Sequence, residues 1–507
     1  MKVITATQAA SLIEDGWWVV PGGFGCCGHP DSLSQALRKR FLETGRPRGL
    51  NLLFASGAGD KQARGLNAWA LDGMLNRVIG GFWGFCPALV QMAREQRIEA
   101  HNWPQGVICK LFSSIASGSP GLLSKVGLGT FVDPRLEGGV IEGCHRPLVE
   151  SVRFREEDYL FYPAPKVDCA LLRGTVADAQ GNISLSGETS YMDALSQALA
   201  ARNSGGLVIV QVQSIDDKQL PPTDVRIPGM LVDYVVLTED SHPQTYGTPY
   251  DAAYTSNQAK QSAVEAVPPS LAKRLIVARA AEEMRRHDGT HINLGIGIPA
   301  LLGAEARAQG WSDYTLSIES GLIGGIPDEG LAFGAVRNPD AILEQSALFD
   351  FYDGGGIDVA FLGFGEVDAM GNVNVSSFGG RLPGAGGFIN ISQTAKKVVF
   401  CGTLTTSGLT LEIRHGALHV RQEGRVRKFC PQVAQLTFSA KQAVERGQQV
   451  LYITERAVFS LEREGLMLRE LVPGITPQQL RAAMDCPFHI SNSLLDMNAV
   501  PMMAAAN

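Results

Sequence analysis

Within "PGGFGCCGHP" (Pro21 to Pro30), Gly23, Gly25 and Gly28 satisfy G-x-G-x-x-G between an apolar run, "WWVV", and an amphipathic one, "DSLSQALRKRF". A glycine turn between strand and helix offers backbone amides to a phosphate, as a nicotinamide dinucleotide site does. Gly295, Gly297 and Ala300 give a related G-x-G-x-x-A further on. That chemistry also needs an acid about 20 positions beyond the glycines to bind the ribose hydroxyls. In the first half the next run, "LNLLFASG", ends in Ala55, Ser56 and Gly57 and supplies none. In the second half "YTLSIESG" carries Glu319, 22 positions after Gly297. Pro299, however, removes an amide from that loop. Glu319 is followed by "SGLIGG", a side-chain-poor stretch that clears space in front of a carboxylate. A ribose-binding acid does not need such a clearing, whereas a carboxylate approached by a bulky reactant does.

Other chemistries leave little trace. Gly-Lys never occurs, so there is no P-loop, and no G-x-S-x-G elbow is present. His287/His291 and His415/His419 have i, i+4 spacing without the internal Glu of H-E-x-x-H, and they read as surface or turn residues. No metal site is expected. Cys144 and His145 are adjacent, so their side chains point apart and the thiol reads as buried. Nine cysteines form no C-x-x-C pair, which fits a reducing compartment. A net charge of −7 and the lack of any basic block argue against nucleic acid or an anionic membrane as partner. There is no run of about 18 apolar residues and no leader-like N-terminus, so the chain is expected to be cytoplasmic.

These residues need elements to position them. Strand-like and helix-like runs alternate throughout, which predicts an α/β fold with mainly parallel sheets. Glycine, 57 of 507 residues, is enriched as many tight strand-to-helix turns require. Asp15-Gly16 stands seven residues before Gly22, as Asp288-Gly289 does before Gly295. "DCALLRGTVADAQGNISL" (Asp168 to Leu185) matches "DVAFLGFGEVDAMGNVNV" (Asp358 to Val375) without a gap. The chain therefore reads as two related open α/β domains in tandem, 1–260 and 261–507. The polar, proline-bearing stretch Glu239 to Ser270 reads as a connection over the surface, with the N-terminal part's linker running to about 270.

"DGWWVVPGGFGCCGHP" resembles the N-terminal signature of the family I, glutamate-type CoA-transferases: Asp-Gly, an apolar strand, Gly-Gly-Phe, three residues, Gly-x-Pro, with Pro21 departing from it. The second family signature is commonly Ser-Glu-Asn-Gly; here Ser317-Ile318-Glu319-Ser320-Gly321 carries Ile and Ser in its place, closer to the single-chain acetate and propionate branch than to the ketoacid branch. "WPQG" (Trp103 to Gly106), "GLGTFVDPR", "FDFYDGGGIDVAFLG" and "PGAGGFINISQ" (Pro383 to Gln393) also resemble family blocks, so the likeness spans nearly the whole chain.

The resemblance implies the CoA-transferase fold and exchange of CoA between a short-chain acyl-CoA and a free carboxylic acid. Glu319 is then the nucleophile, and CoA is both substrate and covalent thioester intermediate, with no permanently bound cofactor. Gln105 supplies an oxyanion-stabilising side-chain amide, and the backbone at Gly386 or Gly387 the second donor. Gly23, Phe24, Gly25, Gly28, Gly295, Gly297, Ser320, Gly321 and Gly384 are the expected substrate and CoA contacts, and the helix after the first glycine loop is an expected anion site. Gln105 and Glu319 come from different halves of the sequence, so the halves are expected to build one site. Family likeness further implies a homodimer or homotetramer. A nicotinamide-dependent dehydrogenase and a non-catalytic metabolite sensor are the alternatives.

Overall fold

The computed structural model describes residues 2–143, 145–238, 241–257, 268–286 and 290–497. Cys144, His287, Asp288, Gly289 and the expected boundary near 260 lie outside the described residues. The chain forms two compact units, but no single cut separates them. One unit holds Met1–Gln261, Ile318–Asp350 and Leu382–Asn390; the other holds Ser262–Ser317, Phe351–Arg381 and Ile391–Asn507. Glu319 thus clusters with the N-terminal part of the sequence, although the strand leading to it is counted with the second unit.

In the first unit eight parallel strands lie in the order Lys2–Val3, Tyr234–Leu237, Leu207–Asp216, Cys169–Asp178, Trp18–Pro21, Leu50–Ser56, Leu75–Phe82, Glu99–Asn102. Helices cover such strands on both faces, which is why Leu50–Ser56 reads "LNLLFAS" and is buried at every position. Leu52, Phe54, Trp69, Val78, Trp83 and Leu89 belong to its core. In the second unit, strands Tyr314–Ile318, Thr290–Leu294, Val359–Gly363, Lys397–Cys401 and Gln449–Ile453 are parallel neighbours in that order. Ala457–Glu462 and Gly465–Leu471 extend that sheet antiparallel.

The internal repeat is visible atom by atom. Asp168 accepts the Trp18 N–H at 2.9 Å and Asp358 accepts the His291 N–H at 2.9 Å, each tying two parallel strands at their start. Ten residues on, Asp178 accepts the N–H of Gln180 and Asn182 and the Asn182 side-chain amide. Asp368 does the same for Met370 and Asn372. Asn182 and Asn372 then each accept a backbone N–H, from Gly229 and Ala440, at 2.9 Å. The Asp-x-x-Gly-Asn spacing is therefore a turn built around a buried carboxylate, which explains its recurrence without a catalytic role.

The stretch after Glu239 is partly buried where it is described. Tyr254 is fully buried and its hydroxyl donates to Asp328 at 2.5 Å. The Tyr246 N–H donates to Cys26 O and its hydroxyl to Asp31. Polar and proline-rich composition suggested a linker, but the two tyrosines anchor it against the glycine loop. His415 sits at positive φ in the turn between strands Thr410–Arg414 and Ala417–Gln422, as its β-like surroundings suggested.

Replacing Asp178 by Ala orphans four donors near a buried turn, the N–H groups of Gln180, Asn182 and Leu220 and the Asn182 side-chain amide, and we expect a loss of about 2–4 kcal/mol in unfolding free energy. Calorimetric melting of Asp178→Ala checks this, and an unchanged midpoint contradicts the turn's role.

Candidate active site

The first glycine loop follows strand Trp18–Pro21, where the strand order of the sheet reverses, the place at which open α/β sheets bind ligands. Gly22 is drawn onto the neighbouring strand by its N–H to Leu171 O at 2.8 Å. The rest of the loop spends its amides internally: Phe24 and Cys27 exchange N–H···O bonds at 2.9 Å and the Cys26 N–H goes to Phe333 O. Gly23, Gly25 and Gly28 have φ of +117°, +57° and +67°, and a Cβ on them would meet Ala58, Phe333 and Met192 within 2.9 Å. Their first task is packing. Phe24, expected at the substrate, is 1% exposed and stacks on Phe333, with ring centres 5.8 Å apart. The helix Asp31–Thr44 offers no open anion site, because Gln211 Oε1 accepts the N–H of Ser32 at 2.9 Å and of Leu33 at 3.4 Å. Burial pushes the Cys26 and Cys27 thiols up to about 12, which keeps both protonated.

A pocket of roughly 260 Å³, counting open solvent at its mouth, does lie at this switch point. Gly22, Gly23 and Gly28 line one side, and Arg173, Glu188, Ser190 and Met192 line others. Arg173 pairs with Glu188 at 3.0 Å and donates to Pro243 O, and His242 also meets Glu188. Burial works to raise the Glu188 carboxyl, but Arg173 and His242 outweigh it and hold it below the ordinary range.

Glu319 begins a tight turn. The Gly321 N–H closes onto Ile318 O at 3.0 Å, and Gly321 O accepts the Leu343 N–H at 2.7 Å. Short strands Leu322–Ile323 and Ala341–Ile342 pair beyond it. Gly321 has φ +99°, and a Cβ there would lie 2.1 Å from Leu343 O; at Gly324 it would strike the Asp340 side chain. These glycines make the turn compact rather than flexible. Ser320 is fully buried; its carbonyl accepts from the Ser190 hydroxyl, while its own hydroxyl has no partner. Glu319 is half-buried. Desolvation raises its carboxyl above the ordinary range, opposed only by its own N–H, and no ion pair is recorded for it among the described residues.

The strand register shows what occupies the matching place in the first half. Trp18 pairs with Asn51 and His291 with Thr315, so "FASG" (Phe54 to Gly57) falls on "IESG" (Ile318 to Gly321). Ala55 stands where Glu319 stands. Ser56, like Ser320, has a buried hydroxyl without a partner.

Gln105 opens the helix Gln105–Ala116 and is 1% exposed. Its N–H donates to Gly386 O at 2.9 Å, and the Gly106 N–H to Asn390 Oδ1 at 3.2 Å, so "WPQG" and "PGAGG" are brought together. Asn102 strengthens this junction by accepting the Ala385 N–H at 2.8 Å and donating to Gly80 O. Of the two expected backbone donors, Gly386 is ruled out, because its N–H is spent on Gly81 O at 3.1 Å. Gly387 has no such carbonyl acceptor. Gly384 is crowded: a Cβ there would meet Gly81 O at 2.7 Å and Trp83 at 2.9 Å. Trp83 itself is core, whereas Phe82 lies beside Gly386.

Four residues that sequence alone did not single out, Gln345, Asp193, Met192 and Ser190, join Gln105 to the Glu319 turn. The Gln105 side chain donates to Gln345 Oε1 at 2.9 Å, and Gln345 donates to Asp193 Oδ2 at 3.2 Å. The Gln345 N–H bonds Met192 O, and Ser190 holds Ser320. Residues 190–193 therefore touch both parts of the site. Gln345 stands four positions before the block "FDFYDGGG", and no spacing rule would have marked it. In the second unit Gly295 repeats the Gly22 contact through its N–H to Phe361 O at 2.8 Å, and Gly297 has φ +88° with nothing within 4 Å of a Cβ.

The coenzyme A transferase family model matches residues 3–238. The chain is 41% identical over 483 residues to acetate CoA-transferase YdiF of Escherichia coli K12, covering 94% of this chain and 91% of that protein. It is 42% identical over 509 residues to caffeate CoA-transferase of Acetobacterium woodii, covering 98% and 97%. The acyl-CoA transferase YdiF of Escherichia coli O157:H7 superposes as apoenzyme with a TM-score of 0.92 at 39% identity, covering 98% of this chain and 95% of that one. The same protein solved as a thioester complex with CoA gives 0.91.

Gly321→Ala forces a side chain into positive φ and onto Leu343 O, which costs about 1–3 kcal/mol in conformation alone. We expect a lower melting point and a turnover loss far exceeding that of Gly297→Ala, both read on the purified variants; equal effects would contradict the turn's rigidity.

Proposed function

The chain belongs to the coenzyme A transferase family and is an acyl-CoA transferase, and we propose that it exchanges CoA between a short-chain acyl-CoA and a free carboxylic acid through two covalent states of Glu319. The observation that carries this reading is a half-buried carboxylate, raised by desolvation and without a neutralising cation, at the head of a rigid turn. A carboxylate made more basic in this way is a better nucleophile than a salt-bridged one.

Glu319 attacks the thioester carbonyl, CoA leaves as thiolate, and an acyl-glutamyl anhydride forms. The thiolate then attacks the glutamyl carbonyl, releasing the donor's carboxylate and leaving a glutamyl-CoA thioester. An acceptor carboxylate attacks that thioester and the sequence runs in reverse, restoring Glu319. Each bond formed replaces one of similar energy, so the reaction proceeds without ATP, with ping-pong kinetics. The thioester complex with CoA known for the Escherichia coli O157:H7 relative supports the second intermediate. Each addition develops an oxyanion, which the Gln105 side-chain amide and the Gly387 N–H serve as donors.

The pocket beside Gly22 and Gly28 takes the acyl group in this reading. Relatives of equal identity are named for acetate and for caffeate, so acyl size follows local walls rather than family. Met192, pressed against Gly28, closes the pocket and favours a small acid. The same reading places the enzyme in the cytoplasm as a homodimer or homotetramer. Among the described residues eight cysteines are free thiols and no helix is long and apolar enough to cross a membrane.

Incubation with a reactive short-chain acyl-CoA and no acceptor is expected to leave one CoA on Glu319 by intact-protein mass spectrometry, discharged by an acceptor acid. Glu319→Gln, nearly isosteric and not nucleophilic, should show none, and an adduct persisting in it would overturn the assignment. Gln105→Ala should lower kcat roughly 10²–10³-fold with KM little changed.

A further inference from the structure

The donor that stabilises the oxyanion is an amide whose two ends differ only in which hydrogen-bonds as donor and which as acceptor. Gln105 is the first of three buried side chains in series, followed by Gln345 and Asp193, with exposures of 1%, 0% and 2%. We propose that Asp193 is a positioning residue that sets, through Gln345, which end of the Gln105 amide faces Gly386; this rests on the reading of Glu319 and Gln105 above.

Asp193 occupies the N-cap position of the helix Ala194–Asn203, where an aspartate ordinarily accepts an amide of the first turn. Its side chain makes no capping bond. Glu344 accepts the Leu195 N–H instead. The carboxyl of Asp193 is thereby freed to face Gln345 and the Cys109 thiol through Oδ2, while Oδ1 is buried without a partner.

Polarity then passes along the series by donor and acceptor alone. An ionised Asp193 only accepts, so it takes the Gln345 NH₂. Gln345 presents its oxygen to Gln105, and the Gln105 NH₂ turns toward Gln345. The structure holds this arrangement, with the Gln105 oxygen 3.7 Å from where a Gly386 Cβ would stand. A protonated Asp193 donates to the Gln345 oxygen, the Gln345 NH₂ donates to the Gln105 oxygen, and the Gln105 NH₂ is left facing Gly386. Only the second polarity directs a donor toward a developing oxyanion there.

Burial, with the nearby Glu344 carboxylate, pushes Asp193 up to about 8, against the Cys109 bond. Burial also pushes Glu344 up to about 7, against Arg226 and the Leu195 N–H. The other charges near these elements are accounted for. Lys110, one residue from Cys109, pairs with Asp350 at 2.9 Å, and Arg226 lies 3.9 Å over the Tyr191 ring. The sign is that of an acid raised in the folded protein: the donating, protonated form predominates below pH 8 and is lost as pH rises through it.

The test is the pH dependence of acyl transfer by the full chain with a short-chain acyl-CoA. From pH 7 to 9.5 kcat should fall more than about tenfold, as one ionisation near 8 requires, while KM stays flat. In Asp193→Asn, whose amide donates at every pH, the fall should shrink below about twofold. In Glu344→Gln, which removes the like charge but still accepts from Leu195, the fall should begin at lower pH. Should Asp193→Asn fail to fold, Gln345→Met breaks the series and should likewise lose the alkaline decline. An alkaline decline equal to the parent's in the folded variants overturns the proposal. Formation of the Glu319 adduct in the same preparations separates that outcome from a failure of the transferase reading, in which no adduct would form.

Discussion

The proposed reaction asks that a carboxylate attacking a thioester be desolvated without being neutralised, and the surroundings of Glu319 meet that demand. A lysine or arginine beside Glu319 would stabilise its charge and lower its reactivity. The chain places it instead at a turn fixed by backbone bonds and by glycines too crowded for any side chain. Rigidity there comes from contacts that carry no charge: Leu343 on Gly321, and Ser190 on the Ser320 carbonyl. Arg173, which lines the pocket, is paired with Glu188.

The glycine loops show how the same residue type can answer to opposite requirements. A G-x-G-x-x-G spacing proposes amides turned toward a ligand, yet Phe24, Cys26 and Cys27 turn theirs to backbone carbonyls. Gly25 and Gly28 are small because Phe333 and Met192 press on them, not because a pyrophosphate does. What remains for a ligand is the face of Gly22, Gly23 and Gly28 toward the pocket. Spacing can locate a turn, but the partners of its amides decide what the turn binds.

This divides what could be read from the residues from what could not. Fold class, the strand before each glycine loop and the internal repeat were legible, because buried parallel strands leave unbroken apolar runs and a carboxylate-centred turn leaves Asp-x-x-Gly-Asn. The stretch after Glu319 read as side-chain-poor and open, whereas its glycines are crowded by Leu343 and Asp340. The interleaving of the two units was not, since Ile318–Asp350 and Leu382–Asn390 carry no composition that marks them as belonging with residues 1–261. The commitment of the Gly386 amide to Gly81 was hidden for a similar reason: it depends on a contact about 300 residues away in sequence. Asp193 and Gln345 are ordinary residues in ordinary helical starts, and their importance lies wholly in whom they face.

The repeat sharpens the point about the nucleophile. Both halves carry the strand, a buried serine without a partner and the following glycine, but the backbones part there: Ala55 and Ser56 stay in the strand and the Gly57 N–H goes to Phe82 O, whereas the Gly321 N–H closes onto Ile318 O. In the first half the matching residue is Ala55, 4% exposed, and the space about Gly57 is filled: a Cβ there would lie 2.9 Å from Cys86 Sγ and 3.0 Å from Phe82 O. In the second half it is Glu319, with solvent access retained. The turn that begins at Glu319 thus has no counterpart at Ala55, where the strand runs on to Ser56. An acid held in a place that raises its pKa and gives it no cation is maintained at a cost in stability, and such a cost is what a group kept for its chemistry is expected to show.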